Sequence, residues 1–128
     1  MRCLIDTCVF LWVVAGSESV PSRVRAVLAD PDNEVLFSSV SAWEIAAKHS
    51  LGKLPLPTRP DVFVPAQRAA HGIDSLPLSE EHVLALHKLP TLHRDPFDRM
   101  LVCQAIVDGL VLVTPDEAVT QYPVRTLW

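Results

Sequence analysis

Glycine is scarce in this 128-residue chain, four in all, and no Gly-rich run is present that could cradle a nucleotide phosphate. That argues against an ATPase. The three cysteines, Cys3, Cys8 and Cys103, are odd in number and include no C-x-x-C pair. Neither a disulfide framework nor a zinc site is indicated, and buried reduced thiols are expected. No H-E-x-x-H motif occurs, and the histidines at 49, 71, 82, 87 and 93 lack metal-ligand spacing, so ordinary surface or loop roles are expected for them. Apolar runs such as Val9–Ala15 and Leu110–Val113 fall far short of a membrane span. The opening Met1-Arg2-Cys3-Leu4-Ile5-Asp6 sets an acid within its first apolar stretch and offers no small-residue cleavage site. No signal peptide is read there, and a cytoplasmic protein is expected.

What is present is apolar: 49% hydrophobic against 20% charged residues, the balance of a compact α/β protein rather than a disordered one. A chain of this length is expected to form one domain and to bury about two-thirds of its unfolded surface. The formal charge of −4 is not the basic face usual in nucleic-acid binders. Four of the acids, however, are candidates for one metal site, and without them the chain would be neutral.

Apolar runs and turn residues alternate along the sequence. Cys3–Ile5 reads as a first strand closed by Asp6, followed by a helix Thr7–Ala15 stopped at Gly16. Ser22 is placed to cap a helix over Arg23–Ala29. Val35–Phe37 reads as a second strand, and Ser41 as the start of a helix through Ser50 that Gly52 ends. After Pro55, Pro57 and Pro60 come a helix Asp61–His71, a strand Ile73–Leu76, a helix Glu80–Leu86 and a loop Leu89–Arg94. Pro96 opens an apolar helix to Asp108, Leu110–Val113 is the clearest strand, a short helix starts at Pro115, and a last strand lies near Val124–Thr126. Strands alternating with helices point to a parallel sheet covered on both faces.

Such a sheet carries its functional crevice at the carboxyl ends of its strands. Asp6 follows the first strand directly, Glu44 lies in the first turn of the helix after the second, and Asp98 in the first turn of the Pro96 helix. Asp116 comes just after the Leu110–Val113 strand. Each acid alone has a simpler explanation. Ser41-Ala42-Trp43-Glu44 has the form of a capping box, and Asp95-Pro96-Phe97-Asp98 and Thr114-Pro115-Asp116-Glu117 the form of capped helix starts. Asp98, though, shares a helix face with Leu101, Val102 and Ala105, where a charge is costly unless paired or metal-bound. Caps account for individual acids and not for the set. Oxygen-only ligands favour magnesium or manganese over zinc.

Four segments resemble the PIN-domain nucleases, especially bacterial toxins of the VapC type. They are Leu4-Ile5-Asp6-Thr7, Ser41-Ala42-Trp43-Glu44-Ile45-Ala46-Ala47-Lys48, His93-Arg94-Asp95-Pro96-Phe97-Asp98-Arg99-Met100-Leu101 and Leu112-Val113-Thr114-Pro115-Asp116. Their order and spacing match over essentially the whole chain, which implies a single PIN domain over 1–128. The implied fold is a three-layer α/β/α sandwich around a parallel sheet of four to five strands. The resemblance implies that Asp6, Glu44 and Asp98 form the acidic triad, with Asp116 as the fourth acid and Asp95 as a possible substitute or helper for Asp98. Thr7 and Thr114 match hydroxyl positions near the site, and Cys8 gains no role. It further implies Mg²⁺ or Mn²⁺ dependence, RNA cleavage, a homodimer, and a VapB-type antitoxin that would set a basic segment into the acidic crevice.

Lys48, one turn beyond Glu44, and Arg99, next to Asp98, are candidates to neutralise carboxylates or contact an RNA backbone. Trp43 could stack on a base, although a core position is the stronger expectation for it. A phosphatase of the haloacid dehalogenase type would need a second aspartate two residues after the first, where Cys8 stands. An RNA-processing or decay nuclease and a non-catalytic RNA- or partner-binding module of the same fold remain as alternatives.

Overall fold

The structure, a computed structural model, describes residues 1–92 and 95–128; His93 and Arg94 of the third segment, and the end of the expected Leu89–Arg94 loop, lie outside the described residues. The strands are β1 (Arg2–Ile5), β2 (Glu34–Ser38), β3 (Asp74–Leu76), β4 (Val111–Val113) and β5 (Thr126–Leu127). They form a sheet of order β3-β2-β1-β4-β5 in which every pairing is parallel. Between them run α1 (Thr7–Ala15), α2 (Ser22–Ala29), α3 (Ser39–Ser50), α4 (Pro60–His71), α5 (Glu80–Leu84) and α6 (Pro96–Asp108).

Alternate residues of each strand feed the two faces of the sheet. Cys3, Ile5, Val35, Phe37 and Val113 pack with Val9, Phe10, Val24, Phe63 and Val64 from α1, α2 and α4. Leu4, Leu36 and Leu112 point the other way, onto Val40 of α3 and Leu101, Val102 and Ala105 of α6. The expected three-layer α/β/α sandwich is what results, and no described helix is long and apolar enough to cross a membrane.

Several element ends differ from the sequence reading. Ser22 is the first helical residue of α2 rather than its cap; Pro21 stands at the cap with no side-chain bond. The cap of α3 is Ser38, whose Oγ accepts from Val40 N, so the helix starts earlier and Glu44 falls in its second turn. Ser38 prevails because its hydroxyl also meets the buried Gln104 Oε1, a tertiary partner that local pattern does not reveal. The helix expected over Glu80–Leu86 tightens after Leu84 into a 3₁₀ turn at Ala85–Lys88. The segment after Pro115 is likewise a 3₁₀ turn, Glu117–Gln121. The last strand pairs at Thr126–Leu127 rather than Val124–Thr126, because Leu112 and Val113 of β4 fix its register. Among the histidines, His82 is not a surface residue. It is buried, accepts from Ser79 N through Nδ1, and sets Nε2 3.0 Å from Asp108 Oδ2, fastening α5 to the end of α6.

Candidate active site

The strand order reverses direction at β1 and β4, and the crevice beyond a reversal point is where open α/β sheets bind ligands. Ile5 and Val113 are in register there, and Asp6 N donates to Val113 O at 3.0 Å. The two chains therefore leave the sheet side by side, Asp6 from β1 and Thr114 from β4. Thr114 Oγ1 donates to Asp6 Oδ2 at 2.6 Å and accepts from Asp116 N at 3.1 Å. Asp6 Oδ1 accepts from Cys8 N at 3.2 Å, capping α1. Both oxygens of a carboxylate that is only 9% exposed are thus held in place.

The other acids come to the same cleft from different elements. A cavity of about 420 Å³ is lined by Asp6, Glu44, Asp95, Asp98 and Asp116, together with Thr7, Cys8, Lys48 and Lys53. Glu44 is buried on α3 and ion-paired with Lys48 one turn on. Asp95 caps α6, its Oδ1 accepting from Phe97 N at 2.9 Å and Asp98 N at 3.4 Å, while Asp98 stands in the first turn above the buried Leu101 and Val102. Asp116 is itself a cap, accepting from Ala118 N at 2.9 Å, rather than the first-turn acid that the sequence pattern suggested.

The electrostatics follow from the crowding. Burial pushes the Asp6 carboxyl above the usual carboxylate range; the bonds from Thr114 and the Cys8 amide pull against this, and the negative charges of Glu44 and Asp116 add to the rise. The Lys48 ammonium is held above its ordinary value, first by its bond to Glu44 and further by Asp95 and Asp98, against the effect of burial. The Cys8 thiol is pushed up to about 12, chiefly by burial and then by Asp6 and Asp98. It stays protonated at neutral pH and is no nucleophile, since only the thiolate reacts readily.

Two residues stand elsewhere than expected. Trp43 is 60% exposed rather than in the core, its ring edge-on to Phe97 with centroids 4.8 Å apart. The buried stripe of α3 runs through Val40, Ser41, Glu44 and Ile45, and Trp43 lies off it. Arg99 does not line the cleft; its charge bears on Cys103 one turn further along α6. Conversely, the sequence reading passed over Lys53, although Gly52 had marked the turn that carries it.

The residues suit a hard divalent cation by the chemistry of their donors. Five carboxylates line the cleft, and the buried Oγ1 of Thr7, another lining residue, has no hydrogen-bond partner among the described residues. Among those residues no three Asp, Glu, His or Cys side chains are gathered closely enough to hold an ion as they stand, and Glu44 turns an oxygen to Lys48. The residues fit such a cation by donor type and by a shared cleft.

Thr114 joins two of the acids, so its removal has a definite cost. Hydrogen bonds to charged groups are worth about 1.5–3 kcal/mol, and Thr114→Val should lower stability by about that amount in urea unfolding. An unchanged midpoint would show that the Asp6–Thr114 bond contributes nothing.

The fold and the cleft define a member of one family. Residues 3–124 match the family model described as PIN domain, and the chain belongs to that family. A segment of 67 residues is 39% identical to Ribonuclease VapC16 of Mycobacterium tuberculosis; it covers 52% of this chain and 46% of that protein, about half its length. Among solved structures, VapBC2 from Rickettsia felis bound to a DNA fragment from its promoter superposes with a TM-score of 0.75 at 14% identity, covering 99% of this chain and 98% of that one. VapBC-1 from nontypeable Haemophilus influenzae gives 0.65 at 17% identity over 99% and 97% of the two chains. A toxin-antitoxin complex from Klebsiella pneumoniae gives 0.56 at 16% identity over 89% and 86%.

Proposed function

We propose that this chain is a Mg²⁺- or Mn²⁺-dependent endoribonuclease that hydrolyses RNA phosphodiester bonds, and that it is the toxin of a VapBC-type toxin–antitoxin pair. One observation carries the reading: a buried aspartate at the sheet's reversal point, fixed through both oxygens, shares a cleft with Glu44, Asp98 and Asp116. Asp6, Glu44, Asp98 and Asp116 are the residues that would hold the metal, with Asp95 beside them. A bound divalent ion supplies Lewis acidity at the phosphate and an activated water. Asp6 is held to one orientation by Thr114 and the Cys8 amide, so its oxygens need no reorganisation when substrate binds. Lys48 offsets the charge of Glu44 and lessens repulsion of an incoming phosphate. Trp43 and Phe97, each one residue before a cleft acid, offer an exposed aromatic edge to an unpaired base.

The name of the M. tuberculosis relative supports the activity, and the neighbours from R. felis, H. influenzae and K. pneumoniae support an antitoxin as partner. A basic segment of that antitoxin, including arginine, would enter the acidic cleft. The working form is a homodimer acting in the cytoplasm.

The test is cleavage of total bacterial RNA by the purified chain. Cleavage should occur with Mg²⁺, cease with excess EDTA and return when Mg²⁺ is restored. Full activity in EDTA would remove the metal-dependent reading. Growth arrest on expression, relieved by a gene encoded beside it, would separate a toxin from an RNA-processing nuclease.

A further inference from the structure

The turn that ends α3 delivers a second cation to the cleft. Lys53 N donates to Lys48 O at 2.9 Å and Gly52 N to His49 O at 3.0 Å, the paired 6→1 and 5→2 bonds of a Schellman motif. Gly52 has φ 71°, and an added Cβ would meet nothing within 4 Å, so backbone conformation rather than space calls for glycine here. One residue further on, His49 Nδ1 lies 2.9 Å from Leu54 O, and Leu54 packs against the core. The backbone is thus fastened on both sides of Lys53, and the chain doubles back along the cleft that Glu44 and Lys48 line.

The two lysines of the cleft have different situations. Lys48 is committed to Glu44, whereas Lys53 is exposed and makes no ion pair or side-chain hydrogen bond among the described residues. An RNA strand carries a phosphate on every nucleotide. A cleft lined by five carboxylates repels those flanking the scissile position, and a neighbouring cation must supply attraction if the strand is to stay. Lys53 has the reach, the charge and the fixed backbone for this. We propose that Lys53 is a substrate-positioning residue that holds, along a single RNA strand, a phosphate next to the scissile one. The proposal rests on the nuclease reading above.

The experiment measures binding of a fluorescein-labelled single-stranded RNA of mixed sequence, about 20 nucleotides long, by anisotropy across KCl concentrations. Asp6→Asn protein is used so that the probe is not consumed, with Lys53→Met and Lys53→Arg added in turn. One lost phosphate contact lowers the slope of log Kd against log[KCl] by about 0.7 for a single strand. Lys53→Met should therefore bind several-fold more weakly at about 50 mM salt, and the gap should narrow by about 2.6-fold at about 200 mM. Lys53→Arg should restore the slope, which a merely structural role for the side chain would not do. If the wild-type chain cleaves total RNA with Mg²⁺ but Lys53→Met in the Asp6→Asn protein keeps the full slope, the proposal is overturned and the nuclease reading stands. If the wild-type chain does not cleave RNA and the Asp6→Asn protein does not bind the probe in a salt-dependent way, the nuclease reading fails and this proposal falls with it.

Discussion

Replacing Asp6 by asparagine should abolish RNA cleavage and, in the same variant, raise the unfolding temperature at neutral pH in chelator. The two effects have one cause. Asp6 is buried among other acids, and its carboxyl holds its proton to higher pH in the folded chain than in the unfolded one, where the value is about 3.9. Between those two values the folded state binds more protons, so the free energy of unfolding falls as pH rises. The contribution is fully present below the unfolded value and has been lost once pH passes the folded one. A neutral amide escapes that loss. Its oxygen can keep the bond from Cys8 N and its nitrogen can donate to Thr114 Oγ1, while asparagine caps a helix about as well as aspartate. The gain should shrink as pH is lowered into the carboxyl range, which melting curves at several pH values would follow. Loss of even one fixed electrostatic group in an active site costs about 10²–10³-fold in rate, a floor for removing a carboxylate proposed to hold the metal. Retained cleavage would refute the catalytic assignment. Loss of activity with a lowered melting temperature would mean that the residue serves the fold instead.

The second large effect should come from Phe37→Ala. This side chain is 1% exposed, its ring centroid 4.2 Å from that of Phe10, and its backbone sits between Ile5 of β1 and Ser75 of β3. Emptying such a site costs about 3–5 kcal/mol, the lost transfer free energy plus the cavity left behind. A domain has only about 5–15 kcal/mol in total. Urea unfolding should show a much lower midpoint with little change in slope, and a loss under about 1 kcal/mol would mean that α1 collapses into the space. Because Phe10 belongs to the helix that Asp6 caps, the variant should also lose cleavage activity at temperatures where the wild type is intact.

The alternation of short apolar runs with helical segments makes the sheet, its helices and its crevice readable in the sequence. Asp6 was legible because it ends an apolar run, and Asp98 because it interrupts a helical stripe of Leu101, Val102 and Ala105 that is buried in the structure. The failures share a physical origin in partners distant along the chain. Ser38 and Ser41 are equally good local caps, and the side-chain oxygen of Gln104, 66 residues beyond Ser38 and accepting from its hydroxyl, decides between them. Trp43 reads as core by composition, yet the orientation of α3 on the sheet turns it outward. His82 is buried by its bond to Asp108, 26 residues on. Lys53 was within reach of the sequence: a glycine after a helix implies the Schellman turn, and the turn implies where the next residue goes.

The bond between Thr114 and Asp6 spans 108 residues, and β1 and β4 are adjacent parallel strands. Folds dominated by pairings so remote in the chain are slow to form. A ribosome would have to release the chain past Thr114 before Asp6 could meet its hydroxyl partner. An incomplete product of translation therefore carries most of the acids and none of the assembled site. Under the proposed nuclease activity, a chain that has not emerged past Thr114 would be inactive.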